Sequence, residues 1–254
     1  MATRPLIGLT SVYPEHRAEL NDFAHALHLP VTDSPETYQY MLYLTQTHLE
    51  LRSMHTQMRP LHIDFNTPQM QHRIQPKALA QEALIQAIGK KNRTILDVTL
   101  GFGRDAFLLA ASGRRVMGVE RCTAIFALVR DGLHRAKQSA WANPIVQRMQ
   151  IDTDDSKHYL TTPDMPEVDA VYIDPMHPPR KKHSALVKKD MRVLRDLVGD
   201  DQDAEQLLTA ALAVAQHRVV VKLPMHSTPL GQRAADFALS GKTTRYDVYL
   251  SANH

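Results

Sequence analysis

The chain holds one cysteine, Cys122, among its 254 residues. A lone thiol excludes an internal disulfide framework. No stretch approaches 18 uninterrupted apolar residues, so no membrane-spanning helix is expected. The opening "MATRPLIGLTSVYPEH" has a short apolar patch but neither an extended apolar segment nor a small-residue cleavage site, so no signal peptide is read. Together these absences point to a reducing, cytoplasmic setting. Internal repeats and low-complexity tracts are lacking too. The formal net charge is only +3, which by itself names no partner. Histidine is plentiful, at 14 residues, yet no H-E-x-x-H and no Cys/His spacing suited to zinc occurs. His25 and His28 share a helix face without a third ligand in sequence, so no metal site is expected. No G-x-S-x-G elbow is present, and Trp141 in "SAWANP" reads as a packing residue.

What is present is a change of rhythm along the chain. Residues 1–75 do not alternate strand with helix. "QYMLYLTQTHLELRS" and "LHIDFN" alternate apolar with polar residues and predict two or three antiparallel strands. Residues 76–89, "PKALAQEALIQAIG", combine a starting proline, a periodic apolar face and a final glycine, which predicts one helix. Beyond it come six short apolar runs: "TILDVTL", "RVMGVE", "RMQIDT", "DAVYID", "RVVVKLP" and "RYDVYL". Helical stretches over 104–112, 122–139, 156–160, 184–197 and 203–216 separate the first five. This alternation predicts an α/β fold with a doubly wound, mostly parallel sheet over 76–254, and a small β-rich region over 1–75. Ligands of such sheets bind beyond the carboxyl ends of the strands. Those ends carry Asp97 to Asp105, Glu120 with Arg121, Asp152 to Ser156, Asp174 to His177, and Lys222 to Pro224.

The first of them, "LDVTLGFGRDAF", reads as strand, tight turn and helix start. Gly101 and Gly103 allow a ligand close to the backbone. Asp97 can accept from an ammonium or a hydroxyl, and Glu120, ending the next strand, can hold both hydroxyls of a ribose. The pattern suits a nucleoside-type cofactor. "GFGRDA" also fits a dinucleotide fingerprint, so an NAD(P)-dependent oxidoreductase is a rival reading. Charge argues against it, because Asp97 and Asp105 would repel a pyrophosphate. S-adenosylmethionine has no phosphate, and acids favour its sulfonium and amino group. The glycine that methyltransferases commonly carry two residues after the strand-end acid is replaced here by Thr99.

"VDAVYIDPMHPPRKK", residues 168–182, ends an apolar run on Asp174, stiffens the exit with prolines and then turns basic. Asp174-Pro175-Met176-His177 resembles the Asp-Pro-Pro-Tyr type of motif in amino-group methyltransferases. An exocyclic amino nitrogen is a poor nucleophile, because its lone pair is delocalised into the ring. A carboxylate and a carbonyl that accept its two N–H bonds localise that pair, provided both are held still. Proline fixes φ and supplies that rigidity, and a ring at the fourth position, His177, can stack on the base. Arg180, Lys181, Lys182, Lys188, Lys189, Arg192 and Arg195 follow, with Asp190 the one acid among them. This block can hold the phosphates flanking a target base, and RNA is the favoured partner.

"DVTLGFGRDAFLLA", "DPMHP", "KKHSALVKKDMRVLRDLVG", "RVVVKLP" and "RYDVY" together resemble the bacterial RsmJ family of 16S rRNA guanine-N2 methyltransferases. The likeness runs from about Asp97 to Tyr249, and "HLELR" adds to it. It implies S-adenosyl-L-methionine as cofactor and one guanine N2 amino group in the rRNA of the small ribosomal subunit as target. It also implies a seven-stranded class I methyltransferase sheet with a small N-terminal β-rich region. By the same resemblance, Arg104-Asp105, Glu120-Arg121, Asp155-Ser156 and Asp174 touch the cofactor. The chain departs from the family at His177, where phenylalanine is frequent, and at "HRIQPKALAQEA", where a glycine-rich stretch is frequent. The expected activity is therefore S-adenosylmethionine-dependent RNA methylation. A non-catalytic RNA-binding protein and a DNA amino-methyltransferase stand as further alternatives beside the oxidoreductase.

Overall fold

The structure is a computed structural model that describes residues 7–11, 13, 17–57, 59–175, 193, 197–198, 204–231, 233–241 and 243–251. The N-terminal part begins with strand β1 (Ile7–Ser11) and helix α1 (Arg17–Leu27). A hairpin follows, of β2 (Tyr40–Leu44) and β3 (Leu49–Ser53). β1 lies parallel to β2, so the region is not the purely antiparallel arrangement expected. "LHIDFN" forms no strand; it touches β3 through one bridge, Leu51 to Leu61. The leucines of the hairpin's inner face, Leu42, Leu49 and Leu51, are fully buried.

Three short helices come next: α2 (Pro68–Arg73), α3 (Pro76–Ala80) and α4 (Ala83–Ile88). The single helix expected over 76–89 is thus broken. The break falls at Glu82, whose backbone is extended and whose carboxylate takes two hydrogen bonds from Arg73, at 2.5 and 3.0 Å.

The main sheet then alternates as predicted. Its members are β4 (Thr94–Asp97), α5 (Arg104–Ala111), β5 (Arg115–Val119), α6 (Thr123–Ala136), α7 (Asn143–Val146), β6 (Met149–Asp152), α8 (Ser156–Thr161), β7 (Val168–Ile173), α9 (Ala204–Val214), β8 (Ala215–Pro224), β9 (Phe237–Ser240) and β10 (Thr244–Leu250). Strand order is β6-β5-β4-β7-β8-β10-β9, parallel through β8 and antiparallel at β10 and β9. β9 was not foreseen, because "FALS" is short and its Phe237 is exposed. The helix expected over 184–197 falls outside the described residues except at 193 and 197.

Side chains alternate between the two sheet faces, as a two-residue period requires. Ile95, Ala170, Tyr172 and Val220 join the core under α5 and α6, whereas Leu96, Val171, Val219 and Val221 join the one under α9. The first core is continuous from Leu9 to Val248, so the N-terminal sheet shares it. Phe65 stacks on Phe107 at 4.9 Å, and Trp141 meets Phe107 edge-on at 6.2 Å, which bears out its reading as a packing residue.

Segment 61–65 lies directly on α6 because Gly132 has no side chain. A Cβ there would stand 2.8 Å from the Ile63 carbonyl oxygen. Arg135, one turn further along the helix, donates to the same carbonyl. Helix propensity alone says that Gly132→Ala stabilises by about 1 kcal/mol. The contact reverses the sign: urea unfolding will show the variant less stable by roughly 1–3 kcal/mol. A gain in stability would mean that 61–65 does not dock there.

Candidate functional site

The carboxyl ends of β4, β5, β7 and β8 converge on one cavity of about 480 Å³. This is within the usual range for small-molecule sites, roughly 300–1,000 Å³. Its wall includes Asp97, Gly101, Arg104, Asp105, Glu120, Arg121, Asp155, Ser156, Asp174 and Pro175, each named from the sequence alone. Gly103 stands behind this wall. Its φ is +68°, and a Cβ would come within 3.1 Å of Val129 and 3.3 Å of Phe65. It is the turn that starts α5, and both its positive φ and these contacts favour glycine there. His177, Arg180, Lys181, Lys182, Lys188, Lys189 and Arg192 lie outside the described residues.

The glycine turn is held from the next strand. Glu120 is buried and accepts from the Gly101 and Cys122 amides, each at 2.8 Å, so one carboxylate fixes the loop and still borders the cavity. Asp155 caps α8 by accepting from Lys157, and the Ser156 hydroxyl donates to the carbonyl of Val98. Arg104 sits over the Phe102 ring at 5.5 Å, and Arg121 donates to the Val198 carbonyl at 3.0 Å.

Thr99, which looked like a departure, ties the strand ends together. Its amide donates to Asp97 at 3.0 Å, its hydroxyl donates to the same oxygen at 3.4 Å, and that hydroxyl accepts from the Asp174 amide at 2.6 Å. A glycine there could not join β4 to β7 through a side chain.

Sequence reasoning flagged Lys222 only as a strand end and gave it no role. In the structure its ammonium donates to Asp105 and to Asp174, each at 2.7 Å. The Tyr172 hydroxyl also donates to Asp105, at 2.7 Å. The one signal in sequence was a lysine inside an apolar strand, a position that demands a partner. Burial works against charge on Lys222, but the carboxylates of Asp174 and Asp105 overcome it and raise its pKa. Burial likewise opposes ionisation of Asp105. The Lys222 charge and the hydrogen bonds from Lys222 and Tyr172 outweigh that, and its carboxyl lies below the usual range. Asp97 differs. Burial, with Asp105 and Asp174 nearby, pushes its carboxyl up to about 8 despite the Thr99 amide and Lys222. Burial and the same acids push the Tyr246 hydroxyl up to about 12. The ends of β4, β7 and β8 thus gather Asp97, Asp105 and Asp174 around Lys222, with a proton poised on Asp97, while Arg73, Arg104, Arg121 and Lys157 balance the acids elsewhere on the wall. The ionised strand-end carboxylates suit a cationic group placed beside them.

The chain matches the family described as "Putative SAM-dependent methyltransferase" over residues 23–251. It is similar to the ribosomal RNA small subunit methyltransferase J of Coxiella burnetii (strain Dugway 5J108-111), with 42% identity over 249 residues and 96% of each chain covered. The protein of the same name from Thioalkalivibrio sulfidiphilus is 46% identical over 196 residues, covering 76% of each chain. Among solved structures, a SAM-dependent methyltransferase from Neisseria gonorrhoeae superposes with a TM-score of 0.75 at 26% identity, covering 98% of this chain and 97% of that one. The dinucleotide reading of the glycine turn thereby gives way to S-adenosylmethionine.

Proposed function

Because the chain belongs to the ribosomal RNA small subunit methyltransferase J family, we propose that it methylates the exocyclic N2 amino group of a guanosine in 16S rRNA of the small ribosomal subunit. The cytoplasm, where subunits are assembled, is its setting. The observation that carries the amino-group reading is Asp174. It ends β7 on the cavity wall, its amide is fixed by Thr99 and one carboxylate oxygen by Lys222, and its side chain is 38% exposed. It is thus both held still and open to solvent.

S-adenosylmethionine, when bound, supplies an electrophilic methyl group on its sulfonium. The residues present fit that molecule: strand-end carboxylates for its cationic end and a buried acid ending β5 for its ribose. In our assignment Asp97, Gly101, Arg104, Asp105, Glu120, Arg121, Asp155 and Ser156 hold it. Asp174 and the carbonyl of Pro175 accept the two N–H bonds of the target amine and aim its lone pair at the methyl group. Once methylated, the nitrogen would be acidic, and Asp174 or water would take its proton. No strong base is needed. His177 would stack on the base, and the basic residues from Arg180 to Arg192 would hold flanking phosphates.

The test of substrate class is transfer of labelled methyl from S-adenosylmethionine to small-subunit rRNA, large-subunit rRNA and DNA in parallel. Label in small-subunit rRNA alone is the expected result. Label in DNA, or RNA binding without transfer, would contradict the proposal.

A cation beside Asp97 lowers its pKa from about 8. Cofactor binding therefore releases a proton near neutral pH, and affinity rises as pH climbs towards 8. Calorimetry in buffers of different ionisation enthalpy should show release of up to about one proton at pH 7. Asp97→Asn should abolish that release. Proton uptake, or release that persists in Asp97→Asn, would refute the assignment.

A further inference from the structure

Arg73 reaches the cavity from α2, in the segment that precedes the main sheet. Two things distinguish it from the other cations on the wall. First, it is anchored: Nε and Nη2 donate to the two carboxylate oxygens of Glu82, which uses up one edge of the guanidinium. Second, Nη1 makes no hydrogen bond among the described residues, so the edge formed by Nη1 and Nη2 is not taken up by them. A guanidinium fixed along one edge presents its other in a set orientation, the geometry that a planar oxyanion requires.

Of the four other cations on the wall, Lys157, Lys222, Arg104 and Arg121, the last three are engaged differently. Lys222 is committed to Asp105 and Asp174. Arg121 donates to Val198, and Arg104 stacks on Phe102. S-adenosylmethionine carries one anionic group, the carboxylate of its methionyl part, next to the ammonium that the aspartates favour. That carboxylate needs, near Asp105, a cation with N–H groups left over from its own ion pair. Arg73 is close enough to feel the Asp105 charge, and its own ion pair is with Glu82. The break between α3 and α4 is what brings Glu82 to it, so a local irregularity that helix propensity does not predict has a use.

We propose that Arg73 receives the methionyl carboxylate of the cofactor, with Glu82 as the residue that orients it. The inference rests on the cofactor assignment, which binding of S-adenosylmethionine to the wild-type chain checks in the same titration. It is independent of which nucleotide is methylated.

The experiment compares S-adenosylmethionine with its decarboxylated form, which lacks only that carboxylate. Wild type should bind the decarboxylated form about 10–100-fold more weakly, the worth of a charge-assisted hydrogen-bonded pair. Arg73→Met should weaken binding of S-adenosylmethionine by a similar factor and leave the decarboxylated form within about threefold of wild type. Glu82→Gln, which keeps the cation and loosens its anchor, should give a smaller loss with the same selectivity. Circular dichroism establishes that each variant is folded. Equal weakening of both ligands by Arg73→Met would overturn the proposal, since that is the signature of a merely structural role. So would unchanged cofactor affinity with weakened RNA binding, which would assign Arg73 to a phosphate.

Discussion

Asp174→Ala will bind S-adenosylmethionine within about tenfold of wild type and transfer its methyl group at least about 10²–10³-fold more slowly, the usual cost of removing one aimed polar group at a reacting centre. The asymmetry follows from position. Asp97, Asp105 and Glu120 lie around the glycine turn, whereas Asp174 stands at the end of β7 with its side chain partly exposed. Removing it leaves Lys222 paired with Asp105, so the cavity keeps its shape. Asp174→Asn is the sharper variant. It keeps an acceptor oxygen but loses the negative charge that favours a nitrogen turning cationic. Single-turnover rates separate the two contributions. If the alanine variant turns over like wild type, Asp174 is not the group that orients the amine; if the asparagine variant does, the charge of Asp174 contributes nothing.

Lys222→Met is the second large effect, on stability and on chemistry together. It leaves Asp105, a largely buried carboxylate, with the Tyr172 hydroxyl as its remaining partner among those identified. Breaking a fully buried ion pair costs about 3–5 kcal/mol. Here roughly 1–3 kcal/mol is expected, because Asp174 is 38% exposed and water screens that half of the pair. The pH dependence identifies the cause. In wild type the Asp105 carboxyl lies below its ordinary value, so its contribution to stability is present above about pH 4 and is lost as pH falls through the lowered pKa. Without Lys222, burial dominates and the folded state prefers the proton. The stability gap between wild type and variant should therefore narrow as pH falls towards 4 and widen above it. Methyl transfer should slow by about 10²-fold or more, because the second oxygen of Asp174 is no longer held. Lys222→Arg should recover part of the stability, since it restores charge, but not the full rate, since a fork replaces a point charge. A gap that does not depend on pH would mean that Lys222 acts through packing alone.

Sequence reading reached the main sheet because its strands are short apolar runs separated by amphipathic helices, and it reached most of the cavity because strand-end acids are visible one by one. It missed what depends on pairing across distance. Lys222 sits in "RVVVKLP" like any strand residue, and its partners lie 48 and 117 positions away in sequence. Arg73 reads as a surface residue of an unremarkable segment until Glu82 fixes it. Thr99 reads as a missing glycine until its hydroxyl is seen between Asp97 and Asp174. In the N-terminal region, "IGLTS" has too few residues to announce a strand, and its parallel pairing with β2 is set by the crossover through α1, which local alternation does not encode. The break at Glu82 likewise coincides with an ion pair to Arg73, nine residues back, against the helical preference of "ALAQEAL".

The most direct test of the amino-group assignment is the identity of the methylated nucleoside. Small subunits lacking the modification are incubated with the protein and labelled S-adenosylmethionine, and the rRNA is digested to nucleosides for mass spectrometry. The account predicts N2-methylguanosine as the sole labelled product with wild type and its loss with Asp174→Ala. A ring-nitrogen, carbon or ribose methylation would contradict it, because none of those targets offers the two N–H bonds that Asp174 and Pro175 are assigned to accept.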